Sequence, residues 1–153
     1  MSAIDTLSLV ANGAGIVGLA DVVLKRSTGL YDLYSRCKNA STSRARLLAE
    51  IQGSADIVVR TRSFLEDFRA SGISAQDGHC LPEITTLLNR FNQEFDVLSR
   101  MMTSSQVSAG DGLVARMTKN FKWTMNEPAV AQACSQLHSL TASLTAALAV
   151  AGG

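Results

Sequence analysis

The sequence has little charge, few aromatic residues and almost no proline. Charged residues make up 18% of its 153 residues and aromatic residues 5%, and the formal net charge is +1. A near-neutral chain lacks the basic surface that drives binding to nucleic acid, and few rings are available for bases to stack on. We therefore expect no nucleic-acid partner.

Cysteine is also scarce. The three cysteines, Cys37, Cys80 and Cys134, are odd in number and far apart in the sequence. This spacing supports neither a disulfide framework nor a CxxC metal site, and it is typical of reduced thiols in an intracellular protein. Hydrophobic residues reach 46%, which disfavours intrinsic disorder and predicts one folded domain over residues 1–153.

Helical signals run through most of the chain. The two prolines, Pro82 and Pro128, each precede a run of apolar residues with helical spacing, and no alternating segment of useful length indicates a strand. Asn126 is a candidate cap for the last helix. We predict four long helices, over residues 4–26, 43–69, 81–102 and 128–150.

Three of these helices carry an apolar stripe on one face. Arg62 interrupts the first stripe, and its stem can lie on the core while its head reaches water. The stripe residues are, helix by helix, Leu47, Ile51, Ala55, Val58 and Leu65; Ile84, Leu87, Leu88, Phe91, Phe95, Leu98 and Met102; and Val130, Ala133, Cys134, Leu137, Leu140, Leu144 and Leu148.

The connecting segments contain weaker helical signals. A break is expected at residues 27–29, because Ser, Thr and Gly follow each other there. We predict one short helix over residues 30–38 and a second over 113–122. The whole pattern predicts an all-α fold, a four-helix bundle with one or two short additional helices and antiparallel packing.

The first predicted helix differs from the others because no charged residue lies between Asp5 and Asp21. Its apolar side chains surround the helix axis, which predicts a position at the centre of the bundle. A state in which it enters a membrane stays open, although the uncharged run is shorter than the ~20 residues of a spanning helix. Small residues share one face and predict close packing against another helix: Ala11, Ala14, Gly15 and Gly18.

Basic residues follow this helix and flank the next loop. Such a cluster attracts anionic lipid headgroups, and the alternative is an ordinary solvated face. The residues predicted to contact headgroups are Lys25, Arg26, Arg36, Lys38, Arg44 and Arg46.

The last helix also lacks charge. After Glu127 no side chain carries a permanent charge, and His138 is the one residue of this segment that can become charged near neutral pH. A helix on the surface of a soluble protein normally carries charge on its outer face. We therefore expect another chain or a following domain to cover this helix.

Patterns that suggest enzyme or cofactor chemistry are weak. Residues 13–18, GAGIVG, space their glycines as in a dinucleotide-binding loop, but no strand precedes them. His138 with Met101 or Met102 is compatible with a haem in a bundle, although a lone helical histidine is more often structural. We predict no catalytic, cofactor or metal site and expect the chain not to be an enzyme.

Several motifs occur in a recognisable order along the chain. They are LVANGAGIVGLADVVLK at residues 9–25, LYDLY at 30–34, the long helix at 47–68, FKW at 121–123 and the stripe of Leu137, Leu140 and Leu144. Together they resemble the fungal HeLo-like domains, the amino-terminal domains of fungal STAND or NOD-like receptor proteins.

The resemblance implies a helical bundle similar to the HeLo domain and to the executioner bundle of the mixed-lineage kinase-like pseudokinase. It also implies a membrane-targeting role in programmed cell death, allorecognition and heterokaryon incompatibility. A NACHT-type domain or an amyloid motif, in cis or in trans, would drive homo-oligomerisation. The protein would be cytoplasmic at rest and would relocate to anionic lipids of the plasma membrane, with no cofactor involved.

In that family the amino-terminal helix is exposed and inserts into the membrane. Asn12 and Asp21 depart from this picture because both are costly in lipid, which favours an interfacial position or a pore lining for them. The alternative is a helical interaction module without membrane activity. By resemblance, the inserting residues are Leu7, Leu9, Val10, Ile16, Val17, Leu19, Val22 and Val23.

Overall fold

The chain forms four long helices. The computed structural model describes residues 14–37, 42–71, 80–103 and 123–151. The predictions for residues 1–13, 38–41, 72–79 and 104–122 lie outside these ranges, and so does the short helix predicted over 113–122. The helices are α1 (Ala14–Ser35), α2 (Thr42–Ser71), α3 (Cys80–Thr103) and α4 (Trp123–Val150).

The four helices pack as a bundle, which confirms the predicted fold class. Helix α1 packs against α2 and α3, and α4 packs against the same two helices. Helices α1 and α4 therefore occupy opposite corners of the bundle, and α2 and α3 occupy the other two.

Contacts along the helices define their directions. Arg44, near the start of α2, donates to the carbonyl of Ser35 at the end of α1, so these two helices are antiparallel. Tyr34, also near the end of α1, donates to the carbonyl of Leu98 near the end of α3. Helices α1 and α3 are therefore parallel. The predicted antiparallel packing therefore holds for α1 with α2, but not for α1 with α3.

The three predicted stripes form the core. Every apolar residue of the α3 and α4 stripes is buried, and so are Leu47, Ile51, Val58 and Leu65 of α2. Arg62 is exposed, in agreement with the prediction that its charged head reaches water. Helical periodicity therefore identified most of the core without knowledge of the tertiary structure.

The predicted break at residues 27–29 is wrong, because α1 continues without interruption to Ser35. The hydroxyls of Ser27 and Thr28 both donate to the carbonyl of Leu24, so these side chains are satisfied inside the helix. Burial of Leu30 and Tyr34 then stabilises the continuing helix. The short helix predicted over residues 30–38 is therefore not separate, because residues 30–35 form the last part of α1.

The start of the last helix was also predicted wrongly. Helix α4 begins at Trp123, so Asn126 lies inside its first turn and Pro128 lies within the helix. Trp123 is buried and packs edge-on against the ring of Tyr34, with ring centroids 6.0 Å apart. This long-range aromatic contact favours extending the helix upstream of the local signals at Asn126 and Pro128.

Helix α1 is not the centre of the bundle, contrary to the prediction from its uncharged run. It occupies one corner, and Gly18, Val22 and Lys25 are exposed along its outer side. Ile16 and Val23 face the core. The four described helices surround a shared apolar interior, and none of these four lies at the centre.

Candidate functional site

The amino-terminal half of α1 contains the described part of the predicted inserting set. Ile16 and Val23 are buried, whereas Val17 and Leu19 are partly buried against the core. Val22 is 48% exposed and is one of the few large apolar side chains that are exposed among the described residues. Leu7, Leu9 and Val10 lie outside the described residues.

The predicted close packing at the small residues is not seen at Gly18. This glycine is exposed, and a Cβ built on it would meet no heavy atom within 4 Å. Gly15 is partly buried within α1. Ala11 and the side chain of Ala14 lie outside the described part of the structure.

Ion pairs hold α1 against both of its neighbours. On one side, Asp21 accepts from Arg62 of α2, with 3.0 Å between Oδ1 and Nε, and Arg62 also contacts Glu66 of its own helix. On the other side, Arg26 pairs with Asp96 of α3. All four of the groups that join helices here are partly exposed, so each pair is screened by solvent and salt.

The described residues of the predicted headgroup-binding set have different surroundings. Lys25 is exposed near the middle of α1, whereas Arg26 points to α3 and also donates to the Asn92 carbonyl at 3.3 Å. Arg36 pairs with Asp32 one turn earlier at 3.1 Å.

The remaining predicted headgroup contacts lie near the end of α1 or on α2. Arg44 donates to the Ser35 and Cys37 carbonyls at 3.3 and 2.7 Å, where it satisfies backbone groups that follow the helix. Arg46 is exposed on α2, and Lys38 lies outside the described residues. Within the described part, Lys25 and Arg46 remain the most available of the six to a lipid surface.

The two described thiols are buried. Burial raises the pKa of Cys37 to about 11, although Arg44 partly opposes this rise. Burial also raises the pKa of Cys134, and the charges of Arg46 and Glu50 act on it in opposite directions. Both cysteines are therefore protonated near neutral pH and do not favour nucleophilic chemistry.

Two alternatives for cofactor binding do not fit the structure. From Ala14 onward the glycine-rich segment is helical, and no strand occurs among the described residues. His138 has a 78% exposed side chain and lies 3.5 Å from Glu50 of α2, whereas Met102 is buried in the core. His138 therefore does not point at the interior position that a haem would need.

The described ranges also lack two other features. No group of three or more histidine, cysteine or acidic side chains within them is arranged to hold a metal ion. None of the four described helices combines the length and apolar character needed to span a bilayer.

The sequence did not reveal how the charged groups pair. Nothing in the local pattern pointed to Asp96 or Arg62 as partners of α1, because each lies dozens of residues away in the chain. The position of Arg62 within an apolar stripe was the one available signal. It showed an arginine close to the core, and the structure explains it by the pair with Asp21.

Comparison with protein-family models, with curated proteins and with solved structures finds no match to this chain.

Proposed function

We propose that this chain is a membrane-targeting effector domain of the fungal HeLo-like type, which acts in programmed cell death. In this proposal the resting protein is the four-helix bundle, and activation by a NACHT-type or amyloid-motif partner brings several copies together. The amino-terminal helix then leaves its corner and binds anionic lipids of the plasma membrane. The chain needs no enzyme chemistry or cofactor for this role.

The observation that supports this proposal is the charge distribution of α1. Between Ala14 and Leu24 its single charged side chain is Asp21, and Arg62 of a different helix neutralises it. The apolar side chains that face the core in this half, including Ile16 and Val23, can instead face lipid. Exposed Lys25 follows directly and is placed to meet an anionic headgroup.

The same geometry explains why the resting protein would keep this helix in place. Leaving the bundle exposes Ile16 and Val23 and separates Asp21 from Arg62. An aspartate at the centre of a bilayer costs about 2.5–3.5 kcal/mol on insertion scales. We therefore expect Asp21 to stay at the membrane interface or face a pore, and oligomerisation to supply the driving force.

Dye leakage from vesicles of phosphatidylcholine and phosphatidylserine tests the proposal. The chain is fused to a domain that oligomerises on adding a small molecule, and leakage is followed after this addition. Val22→Lys is expected to suppress leakage, because it places a charge on the apolar outer side of α1. Val97→Lys on α3 is the matched control, since Val22 and Val97 are 48% and 42% exposed.

Circular dichroism must first show that both variants keep the helix content and melting temperature of the unmodified chain. Equal leakage by Val22→Lys and the unmodified chain contradicts insertion of α1. Absence of leakage from the oligomerised, unmodified chain also contradicts the proposal. A double variant, Leu9→Lys with Val17→Lys, extends the test to the upstream part of the predicted inserting set.

A second candidate function is an interaction module without membrane activity. The surface of α4 favours it, because its exposed side chains between residues 128 and 150 carry no permanent charge. The exposed surfaces of α2 and α3 do carry charges, for example at Arg60 and Arg90. Depletion of charge is typical of the buried part of protein interfaces.

Light scattering coupled to size-exclusion chromatography tests this second candidate. If α4 mediates self-association, Ala142→Arg lowers the apparent mass at a concentration where the unmodified chain associates. Gln93→Arg, on the exposed side of α3, is the control and should leave the mass unchanged. A chain that stays monomeric at all concentrations yet causes leakage excludes this second candidate as its main activity.

A further inference from the structure

A groove of about 350 Å³ lies between α1 and α2. Val22 is not among the residues that line it. Buried Ile51 and partly buried Ala55 of α2 give it an apolar surface. Tyr31 and Asp32 of α1 line it and are both exposed. Its volume is at the lower end of the range for small-molecule sites, which is roughly 300–1,000 Å³.

The serine and threonine hydroxyls in this groove have already used their hydrogens. Ser27 and Thr28 donate to the carbonyl of Leu24 at 2.7 and 3.0 Å, and Ser35 donates to the carbonyl of Asp32 at 2.7 Å. A hydroxyl has one hydrogen but two lone pairs, so these oxygens can still accept hydrogen bonds. These three side chains therefore offer acceptors rather than donors to a ligand in the groove.

Carboxylates add negative charge to this acceptor-rich surface. Asp32 lines the groove directly. Gln52 also lines it and donates to Asp56 at 3.0 Å, which holds a second carboxylate beside the groove. The exposed ring of Tyr31 provides a face on which a cation can lie. These groups together select a ligand that is positively charged and rich in hydrogen-bond donors.

We propose that this groove binds a cation that consists of an alkyl stem and a guanidinium or primary ammonium head. Its methylene stem packs on Ile51, Ala55 and the ring of Tyr31, and its charged head donates to the carboxylate of Asp32. Burying an apolar stem while leaving a charged head near water is the usual arrangement for lysine and arginine side chains. This inference does not depend on the proposed membrane function.

Arg36 is the internal competitor for this site. It pairs with Asp32 at 3.1 Å between Nη2 and Oδ2, and both side chains are 59% exposed. Such a solvent-exposed pair one helical turn apart is weak. A carboxylate also has about four lone-pair positions, so Oδ1 can receive a second donor while Arg36 stays bound. Removing Arg36 should therefore strengthen binding, whereas removing the charge of Asp32 should weaken it.

The same cation can come from two sources, a free alkylguanidine or alkylamine, or an arginine or lysine side chain of a partner polypeptide. Titration of the ¹⁵N-labelled chain, followed by amide chemical shifts, uses one probe for each source. The probes are butylguanidinium chloride and the peptide acetyl-Gly-Arg-Gly-amide. N-Butylurea, a neutral molecule of nearly the same shape as butylguanidinium, is the matched control ligand.

We expect butylguanidinium to shift amides of residues 27–35 and 51–55 with a dissociation constant in the millimolar range, and N-butylurea to cause no comparable shifts. Asp32→Asn should weaken binding by about fivefold or more, because charge-assisted hydrogen bonds are roughly twice as strong as neutral ones. Arg36→Gln should tighten it by about twofold or more. Asp67→Asn and Arg60→Gln, exposed positions outside the groove, are the matched controls.

Tighter binding of the peptide than of butylguanidinium identifies a partner polypeptide as the source, whereas equal or weaker binding identifies a free amine or guanidine. Either result supports a cation site in the groove. Equal shifts with N-butylurea, an unchanged affinity in Asp32→Asn, or shifts centred on acidic residues elsewhere overturn the proposal. Because every substituted side chain is exposed, loss of folding is not expected to obscure these outcomes.

Discussion

Helix α4 and the amino-terminal half of α1 both have little charge, but the few charges are placed differently. Helix α1 places Asp21 and Arg26 at its two junctions with other helices, where they pair with Arg62 and Asp96. Helix α4 keeps a long exposed side without permanent charge after Glu127. A low charge fraction therefore does not indicate burial by itself, because the position of the few charges decides what surface a helix presents.

The difference also concerns what holds each helix in the bundle. Helix α1 combines apolar packing with partly exposed ion pairs, which are sensitive to salt. Helix α4 contributes a continuous buried stripe, and its polar contacts to α2 include the hydroxyls of Ser54 and Thr141, 3.5 Å apart. We therefore expect α4 to depend mainly on apolar burial and α1 to respond more to changes in charge and salt.

The largest expected effect comes from shortening a core side chain of α4. Leu144 is fully buried, so Leu144→Ala should lower the free energy of unfolding by about 2–5 kcal/mol. Urea denaturation followed by circular dichroism measures this change. Ser143→Ala, at the exposed neighbouring position, is the control and should change stability by less than about 0.5 kcal/mol. Similar values for the two variants would show that apolar burial does not hold α4.

The next effect concerns the reactivity of two buried thiols, Cys37 after α1 and Cys134 in α4. At pH 8, the rise in the pKa of Cys37 from 9.0 to about 11 makes its thiolate roughly a hundredfold scarcer. In a Cys80→Ser background, native Cys37 should therefore react with iodoacetamide at least about a hundredfold more slowly than in the unfolded chain. Cys134, whose pKa is also raised by burial, should be slowed as well.

The raised pKa of Cys37 also predicts how stability depends on pH. The unfolded thiol loses its proton near pH 9, whereas the folded thiol keeps it until about pH 11. The contribution of this group is therefore fully present below pH 9 and decreases as the pH rises from about 9 to about 11. A Cys37→Ser variant should show a smaller decrease over this range in urea denaturation. An equal decrease would assign the effect to other groups.

A smaller effect is expected at the junction of α1 and α3. The hydroxyl of Tyr34 is buried and donates to the carbonyl of Leu98 at 2.6 Å. Tyr34→Phe keeps the ring contact with Trp123 but removes this hydrogen bond, so it should destabilise the fold by about 0.5–1.5 kcal/mol. Tyr31→Phe, at an exposed position, is the matched control. Unchanged stability in Tyr34→Phe would show that this bond does not strengthen the junction.

The smallest effect is expected for the ion pairs of α1. Arg62→Gln should lower the free energy of unfolding by at most about 1 kcal/mol, because its pair with Asp21 is partly exposed. High salt should reduce the difference between Arg62→Gln and the unmodified chain. Arg60→Gln, an exposed position two residues earlier, is the control. A salt-independent loss would assign the effect to packing of the arginine stem.

The sequence predicted the core more reliably than the ends of the helices. The α3 stripe from Ile84 to Met102 follows helical periodicity throughout, and all of its members are buried. The continuous α1 could not be predicted, because Ser27, Thr28 and Gly29 have local preferences for a break. Long-range burial of Leu30 and Tyr34 outweighs those preferences. The start of α4 has the same explanation, since Trp123 packs against Tyr34 from a distant part of the chain.

The candidate sites were predictable to a smaller extent. The uncharged runs in the first and last helices are properties of the amino-acid order, and the structure shows where their described parts lie. The groove between α1 and α2 was not predictable, because Tyr31 and Asp32 approach Ile51 only after the two helices pack. Contact of the basic residues with lipid headgroups stays a prediction, and the fold directs Arg26 and Arg44 to different protein partners.

The sequence by itself determined that this protein is helical and which side chains form most of its core. Periodicity of about 3.6 residues and the apolar content are local properties, and neither depends on how the helices are arranged. The tertiary structure alone decided that α1 lies at a corner, that α1 and α3 run parallel, and that Arg62 neutralises Asp21. These features depend on contacts between segments that are distant in the sequence. A local sequence pattern does not reveal the energies of such contacts.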